Sequence, residues 1–317
     1  MATDDPFVTP RELRFGMVMT AQDGPSVRTM ARRIEAAGLD SIWVGDHIAF
    51  HVPILESLTL LSFAAAVTER VRLGTCVHLL PLRHPTLTAK VCGTLDLLAG
   101  GRLALGVGVG GEFPPEFEAC GVPVAERGSR ADEAIEVLRL HWTREDAHHE
   151  GRHFRFGPVN VAPKPVQPGG PPILVGGRKP PAFRRAGRLG DGYISHMCSP
   201  EMYRENLDTI REHARAAGRK EVPFEPVAFI FTLLDDRYDA AAERAGAMLS
   251  AIYRVPFRDA ARRYCLLGRP EDVVARVGEF VAAGARTIVF SPLMPPDRFL
   301  ERAEGELLPA LRALRCP

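Results

Sequence analysis

None of the six cysteines (Cys76, Cys92, Cys120, Cys198, Cys265, Cys316) forms a Cys-x-x-Cys pair. Their scatter argues against a zinc knuckle and against a disulfide framework, and reduced thiols in a cytoplasmic protein are the expectation. Long apolar runs are missing too: nothing approaches the roughly 20 residues a membrane helix needs. The N-terminal stretch is polar and lacks the apolar core of a signal peptide. Nor is there a block of one charge. The formal net charge is +1, so neither nucleic acid nor a membrane surface is an expected partner. What remains is a chain of 317 residues, 46% hydrophobic and 25% charged, ample for one large globular core.

Along that chain, strand-like and helix-like segments alternate almost from end to end. Arg14–Met19 reads as a strand, and Pro25–Ala37 as a helix with Val27, Met30, Ala31 and Ile34 on one face, closed by Gly38. Strands at Ser41–Val44, Val71–Leu80 and Leu103–Val109 follow, separated by helices at Leu55–Thr68 and Thr86–Leu98. Arg127–Trp142, Pro181–Leu189, Pro200–Ala217 and Pro270–Ala283 are the later helices. Ile173–Val175, Gly192–His196, Val227–Leu234 and Thr287–Ser291 are the later strands. The strands are continuous apolar runs, which indicates burial on both faces and a parallel sheet under helices. About eight such units in one chain predict a (β/α)8 TIM barrel over residues 1–317 as one domain. A doubly wound open sheet is the alternative.

Three stretches stand outside the repeat. Residues 1–12 are expected to be a flexible tail. Residues 148–172, with a Phe154/Phe156 alternation, Gly157-Pro158 and a run of prolines, predict an inserted hairpin and an extended arm. His148 and His149 in that insertion are expected to be solvated. Residues 250–267 form a second insertion, and insertions at a barrel mouth shape substrate pockets.

The glycine-dense segment Leu103-Ala-Leu-Gly106-Val-Gly108-Val109-Gly110-Gly111 needs a particular reason, since glycine weakens a strand. Its Gly-x-Gly-x-x-Gly spacing satisfies the dinucleotide fingerprint. That fingerprint needs a helix opening at the glycines, whereas Glu112-Phe113-Pro114-Pro115 follows and helical pattern resumes only near Ala125. The glycines Gly108, Gly110 and Gly111 therefore read as room for a flat ring laid against a strand end.

A barrel carries its chemistry at the C-terminal ends of its strands, and polar or glycine-rich residues do gather there. Strand two ends in Gly45-Asp46-His47, where an imidazole beside a carboxylate suits proton transfer. A capping aspartate with a surface histidine is the plainer reading. Glu112 is a candidate second acid, and His196, at the end of strand six, a candidate pocket residue. Gly176-Gly177-Arg178 precedes a helix start, where free N–H groups and cationic Arg178 and Lys179 suit a phosphate. A ring at Gly108–Gly111 with a phosphate-bearing tail at Gly177-Arg178 would join both observations.

These residues resemble the bacterial-luciferase-like superfamily of flavin- and deazaflavin-dependent oxidoreductases, nearest to the branch taken as dependent on coenzyme F420. The resemblance runs from Arg14 to Pro292. It rests on Ala37-Gly-Leu-Asp-Ser-Ile-Trp-Val-Gly-Asp-His47, Val67-Thr-Glu-Arg-Val-Arg-Leu-Gly-Thr75 and Leu80-Pro-Leu-Arg-His-Pro85. Gly100-Gly-Arg-Leu103 onward, Phe117-Glu-Ala-Cys-Gly-Val-Pro123, Pro163-Lys-Pro-Val-Gln-Pro168 and Arg184–Tyr193 complete it. The resemblance implies a flavin-like ring at the strand ends, held by Thr75, Cys76, Val77 and Gly108–Gly111, with a cis peptide at Cys76–Val77. It implies that His47 handles a proton beside the ring, with Asp46 its neighbour. Sugar-phosphate dehydrogenases of the superfamily carry a glutamate near the place of Glu112, offset here by one residue. It also implies a homodimer through the Leu55–Thr68 and Thr86–Leu98 helices, which are apolar beyond one face.

The function expected is hydride transfer between a diffusible F420 and a small organic substrate. The alternative is an FMN-dependent monooxygenase served by a separate flavin reductase. A non-catalytic flavin-binding barrel is a further reading. A metal-dependent hydrolase would need His47, His78 and His196 to converge with carboxylates, and no metal is expected.

Overall fold

The computed structural model describes residues 5–21 and 23–316. Eight parallel strands form its centre: β1 (Arg14–Val18), β2 (Ser41–Val44), β3 (Arg72–Thr75), β4 (Leu103–Gly108), β5 (Ile173–Gly176), β6 (Gly192–Ser195), β7 (Glu225–Leu234) and β8 (Thr287–Pro292). Each pairs with the next, and β8 pairs back onto β1 with Phe290 opposite Met17. The sheet is thus closed, a (β/α)8 barrel, and the open-sheet alternative is set aside.

The outer helices form where the apolar spacing predicts. In Gly24–Ala36 the buried residues are Val27, Met30, Ala31 and Ile34. Its start is fixed by a reciprocal cap, Ser26 N–H donating to Asp23 at 2.8 Å and Asp23 N–H to the Ser26 hydroxyl at 3.1 Å. Inside the barrel, Val18, Trp43, Ala104, Leu174, Ile194, Val227 and Val289 form a separate apolar cluster. Trp43 is wholly buried there, its indole N–H donating to Ser41 Oγ at 2.8 Å. Gly16 and Gly74 make the space: a Cβ on either would come within 2.7 Å or 2.3 Å of that indole. The interior is therefore a packed plug and not a channel.

Several expectations change. The strand read as Val71–Leu80 is broken into Arg72–Thr75 and His78–Leu79, with Cys76–Val77 between them. A short helix, Pro114–Ala119, stands where irregular chain was expected before Ala125. The inserted hairpin exists as Ala147–Glu150 paired with Arg155–Val159. Gly157-Pro158 lies within its second strand, not at its turn. His148 is exposed, but His149 pairs with Glu133 at 3.2 Å. The extended arm is pinned by the buried carboxylate of Asp96, which accepts from Val166 N, Gln167 N and Gln167 Nε2 at 2.9, 3.1 and 2.6 Å. The second insertion is largely regular: a helix Tyr238–Tyr253, a helix Arg258–Tyr264 and a strand Leu266–Gly268 on the edge of β7. The described part of the expected flexible tail is tethered. Phe7–Val8 pairs with Val222–Pro223, and the Phe7 ring stacks on Phe224 at 3.9 Å.

Candidate active site

At the C-terminal mouth, Cys76, Val77 and Phe229 sit on the barrel's interior cluster and form the floor of the site. The Cys76–Val77 peptide is cis, as the resemblance implied. Cys76 N–H donates to Val44 O at 2.8 Å, and Thr75 Oγ donates to Gly106 O at 2.7 Å. Burial pushes the Cys76 thiol up to about 12, so it stays protonated.

The glycine reading needs correction here. A Cβ on Gly106 would lie 1.9 Å from Thr75 O, and Cβ atoms on Gly108 and Gly176 would lie 2.3 and 2.5 Å from Val77 methyls. These glycines make room for the bulge of the neighbouring strand, and only through it for anything above. Gly110 and Gly111 differ: their φ values of 58° and 112° turn the chain from β4 toward Pro114–Ala119. Val109, partly exposed, stands between.

That short helix supplies the residue the sequence reading missed. Glu116 is fully buried, and both its oxygens lie 3.1 Å from His47 Nδ1; it also accepts Ile48 N–H at 3.1 Å. The helix is anchored by Phe117, packed with Leu79, Leu82 and Val122. Pro114-Pro115 was the available signal, since proline belongs in a helix's first turn. With Nδ1–H held by a carboxylate, His47 presents Nε2 as its proton-carrying nitrogen. Its ring stacks on Phe50 at 4.1 Å.

Asp46 does not pair with His47. Its carboxylate accepts from Arg83 at 2.7 and 2.8 Å and from Leu79 N–H at 2.9 Å. Burial opposes its charge, yet the cationic partner and these hydrogen bonds hold its pKa below the usual carboxylate value. Asp46 therefore ties the end of β2 to the bulge beyond β3, which sets His47 beside Cys76–Val77. Asp46, Glu56 and His78 bring ligand atoms within 4.8 Å of one another. The Arg83 guanidinium bridges Asp46 and Glu56 and supplies the positive charge there. His47, His78 and His196 lie in three separate surroundings and do not converge.

His78 is wholly buried, with Nδ1 3.0 Å from Ser57 Oγ, and burial pushes its pKa down to about 4. The unfolded chain takes up this proton near 6.5 and the folded protein only near 4. Stability is therefore full above pH 6.5 and falls by up to about 3 kcal/mol on acidification to pH 4. Urea midpoints measured from pH 7 to 4 should fall less steeply in His78→Asn than in the parent. Parallel curves would remove His78 as the cause.

The opposite wall of the mouth is aromatic. His196 faces Phe229, Phe231 and Tyr253 with centroids 5.7, 6.0 and 6.2 Å apart. Burial, then Arg178, pushes His196 down to about 4, against the pull of Glu112. Burial, then Glu112, pushes Tyr253 up to about 12, against Arg178. Glu112 and Arg178 thus both act on this wall, while Glu112 itself is exposed and apart from the His47–Glu116 pair. Gly177, with φ of 149°, donates its N–H to Ile194 O at 3.3 Å. The helix after it begins Pro180-Pro181, which have no N–H, so that start offers fewer donors than expected. Arg178 and Lys179 are exposed, with no ion pair recorded among the described residues.

Residues 12–287 match the family model described as luciferase-like monooxygenase. This chain belongs to that family. A curated relative in it, the F420-dependent glucose-6-phosphate dehydrogenase of Nakamurella multipartita, is 31% identical over 97% of this chain and 99% of its own. Among solved structures, an F420-dependent secondary alcohol dehydrogenase in complex with an F420-acetone adduct superposes with a TM-score of 0.84. It is 21% identical and covers 95% of this chain and 99% of its own, a likeness of fold. The monooxygenase RslO1 from Streptomyces bottropensis gives a TM-score of 0.80 at 26% identity, over 94% and 99%. The likeness of fold extends over nearly the whole barrel of this chain.

Proposed function

We propose that this chain is an F420-dependent oxidoreductase that moves hydride between the deazaflavin and a small organic substrate. The observation that carries this reading is the Glu116–His47 pair beside the cis Cys76–Val77 floor, in a chain that matches an F420-dependent dehydrogenase along nearly its whole length. The residues fit a flat ring with an anionic tail. Thr75, Cys76 and Val77 provide a neutral, apolar floor, and Val109–Gly111 its edge. Arg178 and Lys179, beside the Gly176-Gly177 turn, provide positive charge for a phosphate.

F420, when bound, supplies a two-electron hydride acceptor or donor. The protein's part is to hold it, exclude water and move a proton. Glu116 fixes the His47 tautomer so that Nε2 takes the proton of a substrate hydroxyl during oxidation and returns it in reduction. Asp46 and Arg83 act as positioning residues for the loop that carries His47. The second reading, an FMN-dependent monooxygenase fed by a reductase, is supported by the likeness to RslO1. A fluorescence titration with F420 and FMN, each oxidised and reduced, separates them. Saturable F420 binding with FMN at least tenfold weaker supports hydride transfer, and the reverse would replace it with the oxygenase.

We also read the chain as one domain, acting in the cytoplasm as a homodimer. All six cysteines are free, consistent with a reducing compartment. Phe63, Leu87, Val91 and Leu98, on the helices Ser57–Ala65 and Pro85–Leu98, remain exposed at 38, 67, 42 and 75%. Such side chains suit burial against a second copy. Sedimentation equilibrium reads this directly, and a monomer at micromolar concentration would exclude it.

A further inference from the structure

We infer that the substrate half of the mouth takes a ring-bearing apolar alcohol or ketone and not a sugar phosphate. This rests on the F420 reading above and adds the chemistry of the partner substrate. The wall facing the His47 side is continuous. Phe229 lies on the floor next to Cys76–Val77, and its ring meets Phe231 edge-on at 5.2 Å. Phe231 meets Tyr253 at 6.3 Å, Tyr253 meets Phe257 at 5.3 Å, and His196 closes the group. These rings come from the end of β6, from β7, from the helix Tyr238–Tyr253 and from the loop after it, so four elements build the one surface. His196, Phe229, Tyr253 and Phe257 keep part of their surface exposed. Aromatic edges and faces of this kind favour another ring at stacking distance.

The charges point the same way. A phosphate monoester brings nearly two negative charges and needs cations fixed against it. The charges acting on both His196 and Tyr253 are one cation, Arg178, and one anion, Glu112, which oppose each other. Arg178 is also the group assigned to the cofactor's tail. His196, at about 4, and Tyr253, at about 12, are both uncharged at neutral pH. Arg254 and Arg258 flank the wall and are exposed. A neutral, ring-lined wall leaves a sugar phosphate's charge and hydroxyls unpaired, and covers a phenyl or cyclohexyl group well.

The step balances with the partners named. The substrate's carbinol C–H bond breaks and its hydride passes to oxidised F420, while the hydroxyl proton goes to His47 Nε2. The alcohol loses two electrons and becomes a ketone, and F420 gains them. The reverse reduces a ketone at the expense of reduced F420.

The test compares 1-phenylethanol, cyclohexanol and glucose 6-phosphate as reductants of F420 by the whole chain, following F420 absorbance. The ring alcohols should exceed glucose 6-phosphate in kcat/KM by about tenfold or more. Tyr253→Ala should raise KM for 1-phenylethanol about tenfold while leaving the F420 Kd unchanged, and Tyr253→Phe should restore it. Preference for glucose 6-phosphate, or an unchanged KM in Tyr253→Ala, would overturn the inference. Should F420 fail to bind, the cofactor reading falls, and saturation-transfer NMR with 1-phenylethanol judges the wall by itself. A signal lost in Tyr253→Ala and not displaced by glucose 6-phosphate supports the inference; no signal in the parent ends it.

Discussion

Replacing His47 by alanine is expected to lower the rate of hydride transfer by about 10²–10⁴-fold, the range for loss of a positioned acid–base group. F420 affinity should change little, because the proposed ring floor is Thr75–Val77 and the proposed tail charge is Arg178. Glu116→Gln is the sharper variant. Its carboxyl accepts Ile48 N–H through the oxygen that also faces Nδ1. In the amide, the oxygen stays on Ile48 N–H, and the NH₂ group turns to Nδ1. The amide NH₂ at Nδ1 then favours the tautomer with the ring proton on Nε2, in which His47 cannot take a substrate proton. A fall of about 10²-fold or more is expected, with the fold intact. Stopped-flow reduction of F420 by an alcohol measures both variants. Parent-like rates in Glu116→Gln would show that the tautomer is not set by this pair.

Gly106→Ala is expected to destabilise the protein by about 3 kcal/mol or more, as overpacking of a closed interior does. The new Cβ would fall 1.9 Å from Thr75 O and 2.7 Å from the Ile194 side chain. The first neighbour is backbone and cannot turn aside as a side chain would. The clash lies under the bulge and not beside a ligand, so the loss should appear in urea unfolding without any cofactor present. An unchanged unfolding midpoint with weakened F420 binding would instead place this glycine against the ring. Gly110→Ala is the useful contrast. It has more room, with Leu79 and Phe117 atoms at 3.3–3.4 Å, but needs a φ of 58°. Its cost is therefore one of backbone conformation.

The barrel was legible because its strands are buried on both faces, and apolar runs between amphipathic helices leave little choice of fold. Boundaries came out close wherever a cap or a terminal glycine marked them, as at Asp23 and Gly38. The site was legible only in part, because strand ends reveal location but not direction. Asp46 and His47 are neighbours in sequence, but they lie in the loop past Val44, where the chain turns and their side chains part. Asp46 turns to Arg83 and His47 to Glu116. Glu116 was hidden for a second reason: a six-residue helix is too short to show a period, and its two prolines look like a loop. At Gly106 and Gly108 the space was legible but its nearest occupant was not, because what fills it comes from Thr75 and Val77, about thirty residues earlier in the chain.

Trp43, packed into the barrel against Gly16 and Gly74, closes the barrel axis beneath the site, so a ligand on the floor is reached from the C-terminal mouth. On the proposed reading, with F420 on the floor and the substrate against the aromatic wall, the two ligands would have to queue. The inner one would enter first and leave last, so turnover would follow a compulsory order, and the outer ligand in excess would trap the inner one in place.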